Sequence, residues 1–321
     1  MKFTIEFGAD TLNCEIIGPE DADAPVIAVL GGISADCHVT ASPDDSAPGW
    51  WEAIAGPGKA IDTRRFRVLS MDYAVRPVIS TNDQADALAL ALDAAGVGRL
   101  HAFIGASYGG MVALAFGASY SGRTDRLIVI GAAHESHPMA TALRAVQRRI
   151  IELGRAADRA RDGVILARAL AMTTYGTAAE LASRFSSMPC DEGQDVIFPV
   201  EAFLLRASDR FANTCSVERY LALSLSLDLH RIQPEDVKVP TTLVAAIGDR
   251  VVPRTQVAEL AKRLGAPCHL VELRSVHGHD AFLKEPHPIS VVVTEVLDSL
   301  AVSGGRRVTR WSGSRGQVAA L

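Results

Sequence analysis

Residues 105–109 read Gly-Ala-Ser-Tyr-Gly and stand between two apolar segments of different character. Leu100-His-Ala-Phe-Ile104 before them is short and apolar, the pattern of a buried strand. Gly110-Met-Val-Ala-Leu-Ala-Phe116 after them is small and apolar throughout, the pattern of a buried helix. A Gly-x-Ser-x-Gly at a strand-to-helix junction predicts a nucleophile elbow. The turn is so sharp that its flanking positions must be tiny, and the serine is pushed out at the top of a sheet. The next amide, that of Tyr108, then points to where an oxyanion would form. A serine here can also act merely as a helix N-cap. The strand-elbow-helix setting favours a nucleophilic Ser107.

An elbow needs a sheet to stand on, and strand-like runs recur along the chain. Residues 2–7 and 13–17 read as an opening hairpin, followed by runs at 25–30, 66–71, 100–104, 126–130, 241–247 and 268–272. Such continuous apolar runs suit a mostly parallel sheet flanked by helices on both faces. Thr81-x-x-Gln84 predicts a capping box opening a helix that closes at Gly96, and Pro253 to Leu264 predicts another helix. Between about 136 and 231 the strand rhythm stops, and residues 138–153, 155–175, 199–213 and 216–226 read as helices. The expected organisation is therefore an α/β core from 1–135 and 232–302, interrupted by an all-helical lid at 136–231. From Ser303 onward the glycine-, serine- and arginine-rich sequence predicts a flexible basic tail over 303–321.

Charge and cysteine usage narrow the function. A net charge of −5 with pI near 6.0 gives no reason to expect nucleic acid or an anionic membrane as partner. No apolar run is long enough to span a bilayer, and the first residues lack the organisation of a signal peptide. Five cysteines, at 14, 37, 190, 215 and 268, form no Cys-x-x-Cys pair. That argues for a reducing cytoplasm and against a disulfide framework or zinc site, with Cys37 a small apolar filler. No histidine has a partner at metal-ligand spacing, so no metal is expected.

A nucleophilic serine needs a base, and the base an orienting carboxylate. In an elbow fold these follow in the order Ser, Asp or Glu, His. The strand ending at Ile247 runs into Gly248-Asp249, which puts Asp249 on the same sheet edge as the elbow. After the next strand comes Ser275-Val-His277-Gly278-His279-Asp280. Two histidines compete for the base. His279 is preferred because Gly278 leaves it room and Ala281-Phe-Leu283 returns to the core, whereas His277 reads as a solvated loop residue. A second oxyanion amide must come from the loop Leu30-Gly31-Gly32-Ile33-Ser34, whose paired glycines permit close approach.

Several segments together resemble the homoserine O-acyltransferases of the α/β-hydrolase superfamily. They are Leu30-Gly-Gly-Ile-Ser-Ala-Asp-Cys-His38, Gly49-Trp-Trp51 with Gly56-Pro-Gly-Lys-Ala-Ile-Asp-Thr63, Gly105-Ala-Ser-Tyr-Gly-Gly-Met111, Ala167-Arg168 with Thr174-Tyr175, and Gly278-His-Asp-Ala-Phe-Leu283. The resemblance covers roughly residues 25–300 and implies an α/β-hydrolase fold. It implies Ser107, Asp249 and His279 as the triad, Leu30 and Tyr108 as oxyanion amides, and Arg168 and Asp280 as the binders of the amino-acid end of homoserine. It further implies acyl-CoA as co-substrate with no resident cofactor, L-homoserine as acceptor, a role in methionine biosynthesis, and a homodimer. The short chain and the Gly-Gly-Ile-Ser loop resemble a compact branch that uses succinyl-CoA. A homoserine O-acetyltransferase, a serine O-acyltransferase and a plain esterase or thioesterase are the alternatives. Arg76, His134, His137 and the oxyanion loop with Ser34 are the candidates for reading a succinyl carboxylate.

Overall fold

The computed structural model describes residues 1–192, 195–299, 307–311 and 318–320. The opening hairpin is β1 (Lys2–Phe7) and β2 (Asp10–Ile17), which pair antiparallel. Next come β3 (Val26–Leu30), β4 (Arg67–Met71), α1 (Thr81–Ala94), β5 (Ala102–Ala106), α2 (Tyr108–Ser119) and β6 (Leu127–Ile130). Five helices and a short hairpin then intervene: α3 (Pro138–Ala156), α4 (Ala160–Tyr175), α5 (Ala178–Arg184), β7 (Cys190–Glu192), β8 (Asp195–Ile197), α6 (Pro199–Ala212) and α7 (Val217–Leu229). The sheet resumes with β9 (Thr241–Ile247), α8 (Arg254–Arg263), β10 (Cys268–Arg274), α9 (Ala281–Lys284), α10 (Pro286–Asp298), β11 (Arg307–Trp311) and β12 (Val318–Ala320).

The described strands of the main sheet run in the order β1-β2-β4-β3-β5-β6-β9-β10-β11-β12, parallel from β4 to β11. Parallel strands buried on both faces need near-continuous apolar sequence, and every residue of β3, β5 and β6 is buried. One face packs on α1, α2 and α8 through Leu88, Phe116 and Leu260. The other packs on α10 and the segment around Trp51, Ile54 and Ile61. The parallel strands all point their carboxyl ends to one edge, where Ser107 and Asp249 follow β5 and β9.

Four local expectations are corrected. The capping box of α1 is Ser80 with Asp83, one residue earlier than Thr81 with Gln84. Gln84 is buried and instead holds the Ala74 peptide through both its amide atoms. The break expected at 154 between the helices over 138–153 and 155–175 falls instead at 157–159: α3 ends at Ala156, Asp158 adopts φ 57°, and α4 turns back along α3. The lid is not all helical, because β7 and β8 form a hairpin.

The tail is the fourth correction. Residues 307–311 are not a flexible basic arm but a strand, β11, paired parallel with β10 and covered in turn by β12. The His269 ring nitrogen Nε2 lies 2.9 Å from the Thr309 hydroxyl, and Thr309 is buried. The outer edge of β10 presents unpaired N–H and C=O groups, and an added strand satisfies them. Glycine and arginine content concealed the β-favouring Val308, Thr309 and Trp311. The remainder of 303–321 lies outside the described residues.

Candidate active site

The serine is presented by strain. Ser107 has φ 54° and ψ −117°, a conformation costing an L-residue roughly 1–3 kcal/mol, which the surrounding packing must sustain. Gly105 and Gly109 make that packing possible. A Cβ on Gly105 would collide with the Gly109 carbonyl, and one on Gly109 with the Leu30 carbonyl. The amides on either side of Tyr108 are engaged: Ser107 N–H donates to Ile130 O and Gly109 N–H to Gly31 O, each at 2.8 Å. The Tyr108 amide lies between them in the first helical turn, where an N–H has no intrahelical acceptor. The Tyr108 ring is buried away from the site, its hydroxyl 2.6 Å from Ser226 Oγ. Tyr73 OH donates to Gly31 O at 2.6 Å, so the elbow and the loop after β3 are fastened to one carbonyl.

Ser107 Oγ lies 2.8 Å from His279 Nε2, and His279 Nδ1 lies 2.7 Å from Asp249 Oδ2. The second carboxylate oxygen of Asp249 accepts from Val251 N (2.8 Å) and Val252 N (2.9 Å). The carboxylate therefore caps the chain before α8 and holds the imidazole at once. It also selects the Nδ1–H tautomer, leaving Nε2 free to accept a proton. Burial alone would lower the pKa of His279. The charge and hydrogen bond of Asp249 outweigh it, so the pKa rises above the ordinary 6.5.

These groups open on a cavity whose wall includes Gly32, Ser34, Arg144, Arg168, Arg250 and Asp280. The Cβ position of Gly32 is 3.8 Å from Ser107 Cβ and 3.9 Å from its Oγ, so this glycine faces the Ser107 side chain. Leu30 is not part of the wall. It is the last residue of β3, paired with Gly105 and fully buried, and the loop residues that reach the cavity are Gly32, Ile33 and Ser34.

Arg168 enters from α4. Its guanidinium lies over the rings of Phe211 (4.4 Å) and Tyr175 (5.2 Å) and donates to Tyr175 OH at 3.3 Å. Its Nε is buried without a partner, and among the described residues no carboxylate is paired with it. A planar cation held by stacked rings with no carboxylate beside it can accept one from a ligand. Asp280, next to His279 in the chain, pairs with Lys284 Nζ at 3.0 Å.

Other residues sit elsewhere than expected. Arg76 pairs with Asp10 at 3.0 Å and stacks on Phe7, away from the cavity. His134 is buried outside the cavity wall, and His137 caps α3. None of these three can read an acyl group there. His277 is not a solvated loop residue: its Nδ1 is 3.0 Å from the buried carboxylate of Glu180. His38 bridges Glu15 and the Ala47 carbonyl, both at 2.8 Å, and thereby ties the loop after β3 to β2. Burial, the largest cause, and nearby carboxylates push the Cys37 thiol up to about 12, which disfavours the thiolate. The Gly49-Trp-Trp51 segment is structural support, because Trp51 Nε1 donates to Phe282 O at 3.0 Å, directly behind the histidine turn.

Residues that sequence reasoning missed come from lid helices. Arg144 on α3 lines the cavity, and its side chain, 10% exposed, pairs with the buried Asp228 of α7 at 2.6 Å. Arg148 pairs with the same Asp228 at 2.7 Å. Arg219 on α7 donates to Ile33 O (3.2 Å) and Ala35 O (2.9 Å), so the lid grips the oxyanion loop. Arg144 and Arg148 are four residues apart on one helix face, a like-charge spacing that in sequence reads as an ordinary solvated basic face.

The sequence model of the alpha/beta hydrolase fold family matches residues 45–286. The chain is 42% identical to a homoserine O-succinyltransferase of Xanthomonas campestris pv. campestris over 291 residues, which cover 89% of this chain and 78% of that protein. It is 30% identical to a serine O-succinyltransferase of Litchfieldella anticariensis, covering 84% and 88% of the two chains. A crystal structure of homoserine O-acetyltransferase from Bacillus anthracis superposes with a TM-score of 0.82 at 19% identity, covering 93% of this chain and 97% of the other, a likeness of fold.

Proposed function

Because the chain belongs to the homoserine O-acyltransferase family of the α/β-hydrolase fold, we propose that it moves a succinyl group from succinyl-CoA to the hydroxyl of L-homoserine through an acyl-Ser107 intermediate. The observation that carries this reading is one cavity holding both a Ser107–His279–Asp249 array and the unpaired guanidinium of Arg168. A plain esterase has no need of a half-buried guanidinium stacked on two rings with no carboxylate beside it among the described residues.

The chemistry follows from the geometry. His279 Nε2 takes the Ser107 proton as Oγ attacks the thioester carbonyl. The oxyanion forms against the Tyr108 amide and the loop containing Gly32. Collapse breaks the C–S bond, and His279 returns the proton to the departing thiolate. Homoserine then enters with its α-carboxylate on Arg168 and its α-ammonium at Asp280. His279 removes the proton of its hydroxyl, the oxygen attacks the ester carbon, and collapse releases Ser107, which regains the proton from His279. The lid supports transfer over hydrolysis by keeping bulk water from the acyl-enzyme.

For the donor we infer that Arg144 reads the succinyl carboxylate. Asp228 carries one negative charge and takes two guanidinium groups, and among the described residues no second carboxylate pairs with either, so this corner of the cavity wall retains a positive charge. A buried anionic chain end requires such a partner. Arg250 also lines the cavity but is exposed, where solvent screens it.

Intact-mass spectrometry after mixing with succinyl-CoA tests the reading. A succinyl adduct should form and should discharge faster with L-homoserine than with L-serine or water. No adduct, or an adduct discharged equally fast by water alone, overturns it.

A further inference from the structure

Glu180 has no part in the acyl-transfer chemistry above, yet it is a carboxylate with only 3% of its surface exposed. Its Oε1 lies 3.0 Å from His277 Nδ1, 3.2 Å from Lys284 Nζ and 3.2 Å from Arg184 Nη1. Burial, the largest influence, would raise its pKa, but the His277 and Lys284 contacts outweigh it and hold it ionised below the usual range. Two of those partners, His277 and Lys284, flank the His279–Asp280 turn. Lys284 is shared: it touches Glu180 on one side and Asp280 Oδ2, at 3.0 Å, on the other.

The surrounding backbone holds this arrangement in place. Thr177, which caps the helix bearing Glu180, donates to Val276 O from both its hydroxyl (2.7 Å) and its amide (3.1 Å). Gly278 has φ 53°, and a Cβ there would come within 2.6 Å of the Tyr175 carbonyl. The lid junction and the histidine turn are therefore packed backbone to backbone, and Glu180 and Lys284 cannot drift apart freely.

We infer that Glu180 is a positioning residue for acceptor binding: by holding Lys284 it preserves the negative field at Asp280 for the ammonium group of the amino-acid substrate. The inference rests on the proposed acceptor role of Asp280. Without Glu180, Lys284 would keep Asp280 as its one carboxylate partner among the described residues and would neutralise it more fully. The acyl donor carries no ammonium, so the first half-reaction should not feel the change.

The test compares two acceptors for the succinylated enzyme: L-homoserine and its deaminated analogue, the hydroxy acid with the same chain and no amino group. Glu180→Gln should raise KM for homoserine roughly fivefold or more, the order of one partly screened charge. It should leave KM for the deaminated analogue, and the rate of acyl-enzyme formation, within about twofold. Lys284→Met should lower the homoserine KM, and in the double variant it should cancel the effect of Glu180→Gln. Equal losses with both acceptors, or a matching loss in acylation rate, would make Glu180 structural and overturn the inference. If Glu180→Gln does not fold, Lys284→Met decides alone, an unchanged or raised homoserine KM overturning it. A wild-type protein that does not distinguish the two acceptors overturns the role of Asp280 and this inference with it. If wild type distinguishes them and Glu180→Gln affects both equally, only this inference falls.

Discussion

Ser107 Oγ and His279 Nε2 stand 2.8 Å apart although 172 residues separate them in the chain. Nothing local brings them together. The sheet does, by ending β5 and β10 on one edge, and Trp51 then fixes the far side of the histidine turn through Phe282. The pair is oriented for proton transfer because Asp249 has already claimed Nδ1.

Ser107→Ala should abolish acyl-enzyme formation, and His279→Ala should be about as damaging, because such residues act as a unit. Intact mass after incubation with succinyl-CoA reads both. Normal adduct formation in His279→Ala would reverse the assignment of the base.

The pH dependence has a definite sign. A protonated His279 cannot accept the serine proton, and its pKa is raised above 6.5 by Asp249 against the opposing effect of burial. The kcat/KM for acylation should therefore fall as pH drops, with its midpoint above 6.5. Asp249→Asn removes the raising influence and leaves burial, so the midpoint should move down while the rate falls by roughly three to four orders of magnitude. A midpoint that stays put in Asp249→Asn would show that another group titrates.

Arg168→Ala should slow the second half-reaction and spare the first. The proposed partner of Arg168 is the acceptor carboxylate, absent during acylation. Stopped-flow release of CoA should stay near the wild-type rate while transfer to homoserine drops roughly a hundredfold, the scale of a lost charge-assisted pair. Equal losses in both steps would assign Arg168 to structure or to the donor.

Deletion of residues 304–321 should destabilise the protein. It exposes the outer edge of β10, unpairs His269 from Thr309, and leaves a row of backbone groups open to another chain. Calorimetry should show a Tm lowered by about 2–6 °C, with increased self-association in sedimentation. An unchanged Tm and unchanged association would mean that β11 contributes nothing to the folded state.

The fold and the meeting of Ser107, His279 and Asp249 are legible because each depends on local rules. Small residues around Ser107, apolar strand runs, and the order Ser107, Asp249, His279 are read directly from the chain. Arg168 and Asp280 were reached by resemblance alone, since a lid arginine and an acidic neighbour of histidine have no local signature. Contacts set by tertiary approach were not legible. Glu180 meeting His277, and Arg144 meeting Asp228, join helices whose packing the sequence does not announce. Arg76 departs from expectation for the same reason: a loop arginine that the sequence places near the site is tied to Asp10 in the opening hairpin. In 303–321, composition outweighed a five-residue strand that exists only because β10 offers it an edge.

The choice of acyl donor is predicted to rest on Arg144. Arg144→Gln keeps a polar side chain of similar reach but removes the cation, and Arg148 remains to neutralise Asp228, so the lid should stay folded. The variant should lose at least tenfold in kcat/KM with succinyl-CoA at saturating homoserine, since each tenfold is about 1.4 kcal/mol and a buried charge-assisted contact exceeds that. With acetyl-CoA, which lacks the second carboxylate, the change should be within about twofold. Arg250→Gln is the control. It removes a cavity-lining cation that is exposed, and it should weaken both donors alike through the CoA portion they share. Equal losses with both donors in Arg144→Gln would place Arg144 in the scaffold. A succinyl-selective loss in Arg250→Gln instead would move the reader of the carboxylate to the cavity mouth. Arg144→Lys should recover part of the succinyl activity, because an ammonium keeps the charge while losing the two-pronged geometry that a guanidinium offers to a carboxylate.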